Sequence, residues 1–185
     1  MKKTTILAIM QQQQNTEKKS TRAKFVGVVA NLVAKHLDDN TEYYGLARTY
    51  NDDREIINLG CAMEIIIANV LGAKADCVKS SRVYRIYKDR DYNKFQQLVK
   101  DIYDANVNGE TYEIKFATTD APAHKQNLDQ QVDKYVIATY SAKDGGQVFV
   151  FTDKKDITLD NQGRAIANQR AKFLNKELTQ RVFGA

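Results

Sequence analysis

Apolar residues recur at three- and four-residue spacings from Ser20 or Thr21 onward, at Phe25, Val28, Val29, Leu32, Val33 and Leu37. That spacing predicts a helix with one buried face, ended by Asp38-Asp39-Asn40. A second helix is expected to start at Asp52 or Asp53, either of which can cap it, and to run to Leu71 with Gly72 just past its end. Its apolar set of Ile56, Ile57, Leu59, Met63, Ile65, Ile66, Ile67, Val70 and Leu71 is too wide for a surface helix and predicts a mostly buried one. Glu64 lies inside that run. Residues 11–20 are polar and low in complexity and read as a mobile tail or a loosely held first turn. Tyr43 to Tyr50 is ambiguous between the two periods.

Val78 to Tyr87 alternates as a strand. The two periods then compete. Tyr92, Phe95, Leu98, Val99 and Ile102 keep helical spacing, while Asp101 to Val107 also reads as a strand, so a helix over 91–99 followed by a strand is expected. Beyond this the β signal is clear. Asn108-Gly109 is the strongest short hairpin signal, because both residues tolerate the positive φ of a type I′ turn. Lys134 to Ser141 and Gln147 to Thr152 form a second pair of strands around Ala142-Lys143-Asp144-Gly145-Gly146. Gly163 to Phe183 has the pattern of an amphipathic, basic helix.

These elements make an α/β protein. At 185 residues the chain can bury one full core, and the expected organisation is a polar segment over 1–20 and a single domain over 21–185. Hydrophobic residues are 43% and charged residues 28%, and no apolar run approaches the roughly 18 residues of a membrane span, so no membrane partner is expected. After Met1-Lys2-Lys3 the apolar stretch is short and Gln11 to Gln14 follow, where a signal peptide needs small residues. The expectation is a native N-terminus and a cytoplasmic protein. Cys61 and Cys77 stand outside metal-ligand spacing and far from His36 and His124, which argues against zinc; Cys61 reads as a buried thiol. A net charge of +5 favours a polyanionic partner only modestly.

Chemistry concentrates around Asn108-Gly109. With those two residues at the turn, Val107 faces Glu110, Asn106 faces Thr111, Ala105 faces Tyr112 and Asp104 faces Glu113. Opposed residues have Cβ atoms about 4.5–5.5 Å apart on the same side of the sheet. Lys115, two residues beyond Glu113, shares that side. Two opposed carboxylates repel unless a cation binds between them, and Mg²⁺ is commonly held by one or two carboxylates with waters and phosphate oxygens. Such an ion activates water and neutralises charge on phosphate, while Lys115 can orient the attacking water or stabilise the phosphorane.

At these residues the chain resembles the PD-(D/E)XK nuclease superfamily, which includes type II restriction endonucleases, Holliday-junction resolvases and several exonucleases and repair nucleases. Glu113-Ile114-Lys115 matches its Glu-X-Lys, and Asp104 its preceding acidic residue. The stretch from Asn58 to Gly72 resembles its glutamate-bearing helix, with Glu64 as that glutamate, and Val132 to Tyr140 resembles its fourth core strand. The resemblance covers roughly residues 52–152, although its tight motif is only three or four residues. Tyr103 stands where a proline is frequent, and residues 91–102 look like an insertion. Gln131 and Tyr135 also match the Gln-X-X-X-Tyr of the exonuclease-like branch.

The resemblance implies a restriction-endonuclease-like central mixed sheet flanked by helices. Asp104, Glu113 and Glu64 would bind Mg²⁺, with Mn²⁺ as a substitute, and Lys115 would assist the attacking water. It implies a DNA phosphodiester hydrolase, first a homodimeric type II restriction endonuclease and second a structure-selective resolvase. RNA is an alternative substrate.

Each residue also has a plainer reading. Glu-X-Lys occurs by chance on solvated strand faces, and Glu64 can reach the surface or meet a lysine. Asp101, the rival to Asp104, would face Phe116 and point to the opposite side. His124 and Lys125 can touch phosphate or be ordinary loop residues. Arg164, Arg170, Lys172, Lys176 and Arg181 can contact a DNA backbone or form a solvated face. Tyr84, Tyr87, Tyr92 and Tyr103 read as packing residues. The rival from another class is a non-catalytic nucleic-acid-binding protein with the hairpin acids as an exposed face.

Overall fold

The computed structural model of the chain describes residues 1–16, 21–43, 46–49, 55–73, 103–123, 128 and 131–184. Among these it is a mixed α/β structure with four α-helices, a four-stranded mixed sheet and a separate two-stranded pair. The strand expected over Val78 to Tyr87 and the helix over 91–99 lie outside the described residues.

Helix α2 (Thr21–His36) forms as its spacing predicts, with Phe25, Val29, Leu32 and Val33 buried and Leu37 buried just beyond it. It packs beside α1 (Lys3–Thr16), an element that the polar composition conceals. Residues 11–16, expected as part of a mobile tail or a loosely held first turn, are instead the last turns of α1. The helix buries Ile6, Ile9, Met10 and Gln13, a stripe at three- and four-residue spacing. The Gln13 side-chain oxygen accepts the Ile57 amide at 3.1 Å. A short apolar stripe among glutamines is marginal alone, so its stability comes from tertiary packing.

Strands β1 (Ala47–Thr49) and β2 (Glu55–Ile57) pair antiparallel, and helix α3 (Leu59–Leu71) follows at once. The expected helix start at Asp52 or Asp53 is therefore corrected to Leu59. Asn58 is its cap, with its side-chain oxygen accepting the amides of Gly60 and Cys61. Gly72, at φ 90°, closes the helix in the left-handed conformation its position in the sequence predicts. Burial of Ala62, Met63 and Ile65 through Ala68 makes α3 the buried helix expected, although Cys61 is only partly covered.

The main sheet runs β3 (Ala105–Val107), β4 (Glu110–Thr118), β5 (Lys134–Ser141) and β6 (Gly145–Phe151) in spatial order. β3–β4 and β5–β6 are antiparallel hairpins, and β4 and β5 are parallel. One face carries Tyr112, Ile114, Val136, Ala138 and Val148 against α1, α2 and α3. The other carries Ala117, Tyr135, Ile137, Phe149 and Phe151 under the C-terminal segment. Glu113 and Lys115 alternate with Ile114, so they start out on this second face.

The C-terminal helix expected over Gly163 to Phe183 shrinks to α4 (Lys176–Phe183). Before it, the chain uses its backbone elsewhere. Leu159 bridges Ala165, Leu174 bridges Phe149 of β6, and the Asn175 amide donates to the Val148 carbonyl at 2.9 Å. Asn175 then caps α4 through the Leu178 amide. No helix among the described residues is long and apolar enough to cross a membrane.

Candidate active site

The site begins with the turn. Asn108 and Gly109 take φ values of 54° and 91°, and Val107↔Glu110, Asn106↔Thr111 and Ala105↔Tyr112 pair as the two-residue turn predicts. Here the ladder stops. Asp104 lies one step beyond it, with its amide donating to the Tyr112 carbonyl at 2.8 Å. Its carboxylate turns onto β4 and accepts the Ile114 amide at 2.8 Å. On the same side of β4 the Ile114 carbonyl accepts from Lys115 Nζ at 2.7 Å. Where β3 leaves β4, two charged side chains thus satisfy backbone groups that a neighbouring strand would otherwise pair.

Lys115 Nζ is the hub of the cluster. It lies 2.5 Å from Glu113 Oε1, 3.1 Å from Asp104 Oδ2 and 3.4 Å from Glu64 Oε1. The Lys115, Asp104 and Glu113 side chains are 5%, 4% and 0% exposed, while Glu64 keeps 28%. Glu64 comes from α3, across the β4 edge from Glu113. Its reach to Lys115 joins the helix, the hairpin and the Glu-X-Lys strand at one point. Charged side chains this buried are rare unless paired.

Burial works against the Lys115 ammonium, but Glu64, Asp104 and Glu113 outweigh it and raise its pKa well above the usual lysine range. The lysine is a fixed positive charge at neutral pH. Three carboxylates around one ammonium leave a formal excess of two negative charges. The donor set is all oxygen, three carboxylates and the Ile114 carbonyl, which is the chemistry hard divalent cations require. Among the described residues no three acidic, histidine or cysteine groups are arranged to ligate one ion as they stand. The carboxylates address the ammonium instead, so the donors fit a divalent cation in type and charge once that ammonium moves.

A lock at the base of β4 holds this arrangement. The Thr111 amide and hydroxyl each donate to Asp133 Oδ2 at 2.8 Å, and the Asp133 amide donates back to the hydroxyl. Those donors hold the Asp133 carboxyl below its ordinary range. They set the parallel register in which Glu113 stands beside Tyr135 and Lys115 beside Ile137. Sequence reasoning missed the roles of Asp133, Thr111 and the Ile114 carbonyl. An aspartate just ahead of an apolar β run was the only signal for the first.

All four residues expected at the site, Glu64, Asp104, Glu113 and Lys115, meet there. Asp101, His124, Lys125, Tyr84, Tyr87 and Tyr92 lie outside the described residues. Tyr103, expected to pack, is 40% exposed because β3 begins only after Asp104. Gln131 is exposed ahead of β5 while Tyr135 is buried within it. Of the C-terminal basic residues, Arg164 pairs with Asp160 and Arg170 with Asp156, and Lys172 lies over the Phe173 ring. No family model, curated protein or solved structure matches the chain.

Proposed function

We propose that the chain is a Mg²⁺-dependent deoxyribonuclease of the PD-(D/E)XK type, with a restriction-endonuclease-like arrangement of sheet and helices. The observation that carries this reading is the convergence on Lys115 of Glu64 from α3, Asp104 from just before β3 and Glu113 from β4. A solvated charged strand face would leave Glu113 and Lys115 in water, and both are buried. The parallel β4–β5 pair, with α3 against β4, supports the same reading.

Asp104, Glu113 and Glu64 would hold Mg²⁺, or Mn²⁺ in its place. Bound there, the ion would supply an acidified water and offset the charge that builds on the phosphate. Lys115, charged throughout the neutral range, orients the attacking water by hydrogen bonding and stabilises the anionic phosphorus centre. Asp104 fixes the β4 edge through the Ile114 amide. The favoured substrate is double-stranded DNA, and the favoured assembly is a homodimer, since cutting both strands takes two active sites.

The test is incubation with long linear DNA, with and without Mg²⁺, beside a Lys115→Ala control. Discrete Mg²⁺-dependent fragments that the control does not produce support the restriction reading. Cutting confined to branched DNA redirects it to a resolvase. Intact linear and branched DNA in every lane defeats the nuclease reading and leaves a charged cluster that serves binding or structure.

A further inference from the structure

Lys115 Nζ lies where one oxygen of each carboxylate in the cluster and the Ile114 carbonyl converge. Glu113 Oε1, the Ile114 carbonyl, Asp104 Oδ2 and Glu64 Oε1 surround its nitrogen at 2.5, 2.7, 3.1 and 3.4 Å. We propose that Lys115 is the site's resident counter-cation, which holds the carboxylates together until a divalent cation displaces it. The inference rests on the metal-site reading above and adds how that site is kept folded and how it is loaded.

Three observations carry it. First, Asp104 and Glu113 are almost wholly buried, and buried carboxylates without a positive partner destabilise a fold strongly. The ammonium offsets part of that penalty in the metal-free protein. Second, the oxygens that accept from the ammonium are those a hard cation would take, so the two compete for the same acceptors. Two positive charges cannot share so small a cage without strong repulsion. Third, the cage is uneven. Among the described residues that surround the ammonium, Glu64 alone is partly exposed and makes the longest contact, and the lysine reaches the cage on a flexible four-carbon stem. The ammonium therefore leaves on the Glu64 side. Once freed it is available to a phosphate that enters from solvent, so metal loading and delivery of the catalytic charge become one event.

Calorimetric titration of Ca²⁺ and Mg²⁺ into wild type and Lys115→Met tests the competition directly. The methionine keeps the bulk of the stem and removes the charge. The variant is expected to bind the cation on the order of tenfold or more tightly than wild type. Equal or weaker binding, or no binding to either protein, overturns the proposal.

A second measurement uses wild type alone and does not depend on the variant folding. Acylation by acetic anhydride, read by peptide mass mapping, compares Lys115 with Lys134, which pairs with Glu110. Addition of Ca²⁺ is expected to raise labelling of Lys115 several-fold relative to Lys134. Unchanged or reduced labelling overturns displacement. A protein that shows the labelling change but cuts no DNA loses only the nuclease reading. One that cuts DNA with Lys115 labelling unchanged loses only the present inference.

Discussion

The Asp104 carboxylate accepts the Ile114 amide at 2.8 Å, in the place where a neighbouring strand's carbonyl would stand. The same oxygen lies 3.1 Å from Lys115 Nζ. One side chain thus completes the backbone hydrogen bonding of β4 and supplies negative charge to the cluster. Both roles fall to the residue at which β3 leaves the ladder.

These two roles can be separated. Asp104→Asn keeps an oxygen for the Ile114 amide and loses the charge, whereas Asp104→Ala loses both. The alanine variant should be about 1–3 kcal/mol less stable than the asparagine variant, since it leaves a buried amide unsatisfied. Urea denaturation reads the difference. Equal stabilities would mean that the Ile114 amide finds another partner, and under the proposed nuclease function both variants should lose Mg²⁺-dependent cleavage.

Lys115 predicts an alkaline limit to stability. Its folded pKa is raised above that of the unfolded chain, so its contribution is complete below a free lysine's 10.5 and declines as pH rises past it. The advantage in unfolding free energy of wild type over Lys115→Met should therefore shrink as pH rises above about 10. An advantage that stays constant in that alkaline range would contradict a lysine whose pKa the fold raises.

Gln13 ties α1 to β2 through the Ile57 amide while 3% exposed. Gln13→Ala should destabilise the protein by about 1–3 kcal/mol by stranding that amide. Substitution of the exposed Gln11 or Gln12 should change stability little. A thermal or urea melt on the three variants decides whether this polar segment belongs to the cooperative core.

Gly146 lies under the Phe183 ring, which occupies the space a Cβ would need. Gly146→Ala should force the ring aside and loosen α4, at a cost of about 1–3 kcal/mol from overpacking. Adding Phe183→Leu should recover part of that loss. A double-mutant cycle in urea with no coupling between the two positions would refute the contact.

Much of the candidate site is legible in the sequence, because a hairpin is local. Asn108-Gly109 sets the turn, the turn sets the register, and the register brings Glu113 and Lys115 to one side of β4 with Asp104 close by. The α3 stop at Gly72 and the β5–β6 pair were legible for the same reason, since caps and alternation involve residues near in sequence. Other features depend on contacts between residues far apart in the chain. Helix α1 folds because Ile6, Met10 and Gln13 find partners on distant elements, and the C-terminal segment stays largely irregular because the β6 edge and nearby bridges take its hydrogen bonds. Glu64 reaches Lys115 because α3 packs against β4. The sequence by itself determined which charges the hairpin would gather. Only the tertiary structure decided that they would be buried around an ammonium, because burial and long-range pairing are properties of packing, which local periodicity does not encode.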